Sequence, residues 1–152
     1  APDDPDAMLR HAEEARQNSI PFLYAPSFQV PAMDGERLWA GARGARALIL
    51  NDYEFSVFCE KTGKSQEDIL AEVEIQVVTL GEKGSEIRTR DGQLVQVPAA
   101  RISAVVDPTG AGDAFLYWPD SRASITAAPN SSGRSTSRSG WLERTRSGLT
   151  QP

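Results

Sequence analysis

Apolar and polar positions change their spacing several times along the first 115 residues. Apolar residues recur at helical intervals among charged ones near the start, which predicts an amphipathic helix that begins at Pro5 or Asp6 and ends at Gln17. A second helix is predicted over 34–43. Continuous apolar runs predict buried strands at 20–27, 45–50 and 74–80.

Glycine-containing turns separate shorter strands after the third apolar run. The segment 81–85 predicts a turn into a strand at 85–89, and Asp91-Gly92 predicts a hairpin whose return strand covers 94–97. Helices and strands alternate at the spacing of βα units. The pattern therefore predicts an α/β fold with a mostly parallel sheet flanked by helices.

Helix boundaries are visible in the residues around the second strand. Asn51 follows that strand directly and suits an N-cap, with Glu54 three residues later in a capping box. The segment 62–65 matches the last residues of the P-loop motif. Phe58, however, stands where that motif requires its first Gly, and the segment follows a predicted helix rather than the strand that a P-loop follows. It is therefore predicted to be a helix end capped by Gly63, followed by a new helix.

The segment 105–115 combines an apolar run, a Pro, two glycines and a carboxylate, which predicts a strand, a tight turn and a helix start. Gly110 and Gly112 lack a Cβ, so a ligand can approach the backbone N–H groups closely, and such a turn can bind an anion. A carboxylate in an anion site repels phosphate, so we expect Asp113 to act as a general base toward a hydroxyl. The alternative is an ordinary helix start with an acidic first turn.

The residues 107–115, Asp-Pro-Thr-Gly-Ala-Gly-Asp-Ala-Phe, resemble the C-terminal signature of the ribokinase-like (PfkB) family of carbohydrate and nucleoside kinases. The resemblance implies a ribokinase-like fold, with ATP and Mg²⁺ as cofactors. It also implies an anion hole formed by Gly110, Ala111 and Gly112. Asp113 is then the catalytic base that deprotonates the acceptor hydroxyl.

Two further segments are similar to motifs of the same family. Asn51 and Glu54 match its second motif, which implies that they act on Mg²⁺ indirectly, through water, although capping alone also explains both residues. Thr79, Gly81 and Gly84 match its nucleotide-binding segment, which implies contacts with the ATP ribose and phosphates. Ordinary turn chemistry is the alternative for the two glycines.

The composition and charge of the chain limit the classes of partner that it is expected to bind. The formal net charge is −5, of which residues 1–115 contribute −8 and residues 116–152 contribute +3. The acidic bulk argues against nucleic acid as a partner, and no apolar run approaches the roughly 20 residues that span a bilayer. Cys59 is the sole cysteine, so no intrachain disulfide can form and a cytoplasmic location is expected. The single histidine, His11, is expected on the surface of the first helix.

The character of the chain changes after Phe115. Residues 1–115 resemble the C-terminal half of a family member, so they are expected to form a partial kinase domain without the N-terminal half that binds the acceptor and supplies the lid used in homodimers. Residues 116–152 are rich in Ser and Arg and predict a disordered tail, with Pro119 breaking the helix. Three origins stay open: a natural low-complexity tail, a basic RNA- or phosphate-binding arm, and an out-of-frame product. The abrupt change favours the last.

The resemblance implies a function for the intact protein. That function is ATP-dependent phosphorylation of a hydroxymethyl group on a small-molecule sugar or nucleoside. The segments 51–54 and 107–109 are more similar to bacterial adenosine-kinase-like carbohydrate kinases than to ribokinase. The alternative is a catalytically inert truncated fragment with at most weak nucleotide binding.

Overall fold

The computed structural model describes residues 4–101 and 110–117 of the 152-residue chain. Its helices are α1 (Pro5–Gln17), α2 (Gly35–Ala42), α3 (Asp52–Thr62), α4 (Gln66–Glu72) and α5 (Ala111–Tyr117). Its strands are β1 (Leu23–Tyr24), β2 (Ala47–Asn51), β3 (Ile75–Thr79), β4 (Ser85–Thr89) and β5 (Leu94–Val97). Short 3-10 turns lie at Ser27–Gln29 and Gly81–Lys83. Of the tail predicted over 116–152, residues 116 and 117 belong to α5, and residues 118–152 lie outside the described residues.

The five strands form one sheet in the order β1-β2-β3-β4-β5. The pairs β1–β2 and β2–β3 are parallel, and the pairs β3–β4 and β4–β5 are antiparallel. Parallel pairing requires a crossover, which α2 supplies between β1 and β2 and which α3 with α4 supplies between β2 and β3. The later connections are too short for a crossover. The α/β fold is confirmed, and its predicted mostly parallel sheet becomes mixed beyond β3.

The helices begin and end where the sequence predicts. The side chain of Asp4 accepts hydrogen bonds from the first turn of α1, which ends at Gln17, and His11 is exposed on its surface. Gly63 ends α3 with a φ of 63°, in the left-handed region that glycine tolerates. Ser65 caps α4 in a second capping box. Local signals therefore determine these boundaries.

The first predicted strand is shorter than expected. The apolar run predicts a strand over 20–27, whereas only Leu23–Tyr24 pairs with β2. Pro21 and Pro26 flank this pair and have no N–H to donate to a ladder. The strand therefore ends quickly, and the chain turns at Ser27–Gln29.

The sheet has a different apolar cluster on each face. One cluster lies under α1 to α4 and is built around large, fully buried side chains, including Phe58, Leu38, Leu48 and Ile69. The other contains Ala47, Ile49, Ile75, Val77 and Ile87, and the α5 residues Phe115 and Leu116 pack against it. Helix α5 therefore lies across the sheet from the other four helices.

Tyr24 links β1 to α2 in the first cluster. Its side chain is 3% exposed, and its ring lies so close to Gly41 that an added Cβ there would come within 2.3 Å of the tyrosine Cζ. The Tyr24 hydroxyl is buried and has no hydrogen-bond partner among the described residues, and burial raises the pKa of Tyr24 to about 12. Glycine at position 41 is thus required for the approach of α2 to β1.

Within the described ranges, no helix is both long enough and apolar enough to cross a membrane.

Candidate functional site

A cleft of about 490 Å³ opens where the carboxyl ends of β1, β2 and β3 meet the start of α5. Parallel strands bring their carboxyl ends to one edge of the sheet, where α/β proteins commonly bind ligands. Six residues predicted from the sequence to be functional line this cleft: Asn51, Glu54, Thr79, Gly81, Gly110 and Gly112. The structure thus collects into one site three motifs that are far apart in the sequence.

Asn51 and Glu54 form a complete capping box at the start of α3. The Asn51 Oδ1 accepts from the Glu54 backbone N at 2.7 Å, and the Glu54 Oε2 accepts from the Asn51 backbone N at 2.9 Å. Both residues are half-buried and line the cleft. The capping interpretation is therefore confirmed. Since these bonds occupy only one carboxylate oxygen, the geometry leaves Glu54 Oε1 for a ligand or a water.

The turn at Gly110, Ala111 and Gly112, which we call the glycine turn, leads into α5 and is sterically open. Gly110 has a φ of 80°, and its carbonyl accepts a hydrogen bond from the Ala114 backbone N at 2.8 Å. A Cβ added at Gly110 or Gly112 would meet no heavy atom within 4 Å. Ala111 and Asp113 lie in the first turn of α5, where the structure describes their backbone. The turn thus has the steric room that an anion would need.

The predicted nucleotide-binding residues divide into two groups. Thr79 and Gly81 line the cleft, and Gly81 has a φ of 58° with open space around a hypothetical Cβ. Gly84 is absent from the cleft lining; its φ is 92°, and an added Cβ would lie 1.9 Å from the Val97 carbonyl oxygen. Packing of the chain after β5 is therefore sufficient to require glycine at position 84.

Further cleft residues escaped the motif-based prediction: Ala25, Ser27, Ile49, Leu50, Asp52, Tyr53, Phe115 and Leu116. Tyr53 is 64% exposed, so its ring is available at the cleft surface. The position of a residue directly after a parallel strand is the signal that could have identified Ala25 and Ser27. Phe115 ends the signature at 107–115, but the signature assigns it no role, and it enters the cleft through the packing of α5.

Residues 1–116 match the pfkB family of carbohydrate kinases. The chain belongs to this family. The match covers the three motifs that line the cleft and stops within α5. The ribokinase-like resemblance of the signature at 107–115 is confirmed.

Among pfkB relatives, the nucleoside kinase of Methanocaldococcus jannaschii is 31% identical over 112 residues, which are 74% of this chain and 36% of that protein. The structure of Burkholderia thailandensis nucleoside kinase with inosine aligns at 41% identity and a TM-score of 0.72, covering 76% of this chain and 39% of that one. A deoxyribokinase of Salmonella typhi is 60% identical over 40 residues, 26% of this chain and 12% of that protein. The chain thus spans about two fifths or less of these relatives.

Proposed function

We propose that this chain contains the catalytic and nucleotide-binding part of an ATP-dependent kinase that phosphorylates a hydroxymethyl group of a sugar or nucleoside. The observation that carries the proposal is the cleft itself. The residues that line it from the three motifs are Asn51, Glu54, Thr79, Gly81, Gly110 and Gly112, although they are separated by up to about 60 residues in the sequence.

The relatives favour a nucleoside as the acceptor. Two of them, from M. jannaschii and B. thailandensis, are named nucleoside kinases, and the second has inosine bound in its structure. The deoxyribokinase match is shorter and supports a free sugar as the other member of the acceptor class. Nucleosides and furanose sugars both carry a primary hydroxyl, which is the group that the proposal assigns as the nucleophile.

The proposed chemistry assigns separate tasks to the glycine turn and to Asp113. Asp113 takes the proton of the acceptor hydroxyl as its oxygen attacks phosphorus, so that a neutral hydroxyl becomes a competent nucleophile. The backbone N–H groups of Gly110, Ala111 and Gly112 stabilise negative charge on the transferring group. MgATP, when bound, would supply the phosphoryl group, with ADP leaving as its bond to the γ-phosphorus breaks, and the Mg²⁺ would partly neutralise the charge. Most of the catalytic effect then comes from positioning and electrostatics.

The residues around β2 suit an indirect role toward Mg²⁺. Within the described part of the chain, no three His, Cys, Asp or Glu side chains cluster closely enough to hold a metal by themselves. Mg²⁺ in phosphoryl-transfer sites keeps several waters and takes few protein ligands. Glu54 Oε1 and the neighbouring Asp52 would therefore orient waters on the ion, and Asn51 would hold Glu54 in place through the capping box.

An ADP-release assay tests the proposal with inosine, adenosine and ribose as acceptors. We expect turnover that Asp113→Asn lowers by at least about a hundredfold, because general-base catalysis contributes roughly 10²–10⁴ in rate. Glu60→Gln is the matched control, since it removes one carboxylate from an exposed position on α3 outside the cleft lining.

The alternative, an inert truncated fragment, makes a different prediction. Such a fragment would give no turnover with any acceptor while circular dichroism shows a folded chain, and it would bind ADP weakly or not at all. Turnover that persists unchanged in Asp113→Asn would contradict the assigned role of Asp113. Turnover lost equally in Glu60→Gln would indicate a general effect of charge.

A further inference from the structure

Ser27 has an unusual backbone for its residue type. Its φ is 48°, in the left-handed region that favours glycine, and it follows β1 rather than a helix. The structure around it is fixed: Pro26 and Val30 are fully buried, and the Ser27 carbonyl accepts from the Val30 backbone N at 3.0 Å. Strain of this kind persists where neighbours over-determine the backbone, and it is common at ligand sites.

Ser19 provides an internal comparison, because it is the other non-glycine residue with a positive φ in the described chain, at 54°. Ser19 lies just after α1, where its N–H donates to the Arg16 carbonyl at 3.1 Å and the Ile20 N–H donates to the Ala15 carbonyl at 2.8 Å. These two bonds form a Schellman motif, which commonly requires the left-handed conformation. Helix termination thus explains Ser19, whereas no such motif explains Ser27.

The Ser27 hydroxyl is available to a ligand. Ser27 lines the cleft and is half-buried, and its hydroxyl makes no hydrogen bond to any other residue of the described ranges. A hydroxyl can both donate and accept, so it suits another hydroxyl better than it suits a fully charged group. The cleft therefore offers an uncommitted polar group at the end of β1.

The sheet order decides which end of the cleft Ser27 occupies. Because β2 lies between β1 and β3, the residues after β1 and after β3 flank Asn51 on opposite sides. Thr79 ends β3 and Gly81 follows it, and the two residues form the proposed nucleotide side. Ser27 is therefore on the side away from the nucleotide, and α5 packs against the same region because Phe115 and Ala25 join one apolar cluster.

We propose that Ser27 is a specificity-determining residue whose hydroxyl binds a hydroxyl group of the acceptor sugar ring. The inference rests on the proposed function and names one contact on the acceptor side of the same cleft. The strained backbone holds that hydroxyl toward the cleft before the acceptor arrives.

A residue-resolved NMR titration of the full 152-residue chain tests this assignment, with inosine and ADP as separate probes. We expect Ser27→Ala and Ser27→Gly each to weaken inosine binding by roughly 2- to 12-fold, the range for one hydrogen bond, with ADP binding unchanged. Ser27→Gly relieves the backbone strain, so it separates loss of the hydroxyl from loss of stability. Ser19→Ala is the matched control and should change neither affinity.

The outcomes separate this inference from the proposed function. If Ser27→Gly binds inosine as the parent does, the Ser27 assignment is overturned and the kinase proposal stands. The same holds if ADP binding falls with inosine binding, since Ser27 would then serve the nucleotide side. If the parent chain binds ADP but no inosine, the acceptor contact is overturned for this chain. If it binds neither probe, both the contact and the proposed function fail.

Discussion

Tyr24 shows how one buried polar atom can limit the stability of this fold. Its hydroxyl lies between β1 and α2, against the backbone of Gly41, and finds no hydrogen-bond partner within residues 4–101 and 110–117. Burying a hydroxyl without a partner costs free energy, because the bond to water is lost and not replaced. The aromatic ring is needed to fill the space, whereas the hydroxyl contributes nothing to packing.

We expect Tyr24→Phe to stabilise the fold by about 1 kcal/mol at pH 7, because it keeps the ring and removes the unpaired hydroxyl. The variant should also resist alkali. Burial raises the pKa of Tyr24 from 10.0 to about 12, so the folded state disfavours the phenolate, and the parent loses stability as the pH rises from about 10 to about 12. Urea unfolding followed by circular dichroism at pH 7 and pH 11 measures both effects.

Tyr53→Phe is the matched control for this experiment, since Tyr53 is 64% exposed. It should retain the alkaline loss shown by the parent. An equal alkaline loss in Tyr24→Phe would show that another group governs stability at high pH.

At the scale of elements, α3 and α4 each begin with a capping box, but the two boxes lie in different surroundings. Asn51 and Glu54 cap α3 inside the cleft, whereas Ser65 and Asp68 cap α4 on the exposed surface. The two boxes therefore allow capping to be separated from ligand binding within one molecule.

We expect Glu54→Gln to leave the free energy of unfolding within about 0.5 kcal/mol of the parent, because the amide oxygen of Gln can still accept from the Asn51 backbone N. The lost carboxylate should lower the Mg²⁺-dependent part of ADP affinity by roughly 10- to 100-fold. Calorimetric titration of ADP with and without Mg²⁺ measures this difference.

Asp68→Asn makes the equivalent change in the surface box and should leave ADP binding unaltered. Hydrogen bonds from the Ser65 backbone and hydroxyl lower the pKa of Asp68, so its contribution to stability is present above about pH 4 and is lost as the pH falls through the lowered value. Asp68→Asn should reduce this loss of stability at acid pH. If Asp68→Asn weakens Mg²⁺-dependent ADP binding as much as Glu54→Gln does, the metal role of Glu54 is contradicted.

The ends of a helix or strand could be predicted from the sequence where the residues that determine them lie close by in the chain. The caps at Asn51, Gly63 and Ser65 lie within one helical turn of what they determine, so the sequence places those helix ends correctly. The length of β1 depends instead on which groups can pair with β2, and the conformation of Ser27 depends on its buried neighbours. Motifs identified six of the fourteen described residues that line the cleft, and the other eight required the structure.

At the scale of the whole molecule, both sheet edges present apolar side chains. In the described residues β1 and β5 each pair with one strand only. The apolar residues exposed near these edges are Ile20, Leu23, Leu94, Val95 and Val97. Unpaired edges with apolar side chains favour association between chains. The chain also spans two fifths or less of the relatives it matches.

We expect Leu94→Glu to reduce self-association several-fold, because a charge on an edge strand opposes pairing with a second chain. Leu94 lies directly opposite Arg88 in β4, so the new carboxylate would gain a cross-strand partner and the fold should tolerate it. Sedimentation velocity over a concentration series measures the change. Ser56→Glu, which adds the same charge at an exposed position on α3, controls for net charge, and equal effects of both variants would exclude a specific role of the β5 edge.

The strand order described above has a consequence for biosynthesis. Among the strands of the described residues, each from β2 to β5 pairs with the strand that precedes it in the sequence, so none of these has to insert between two that are already joined. As the chain emerges from the ribosome, each new strand meets a partner that is already synthesised. The meander from β3 to β5 closes fast because its connections are short, whereas the helical crossovers before it are slower steps. The sheet can therefore assemble vectorially, one edge at a time, during translation.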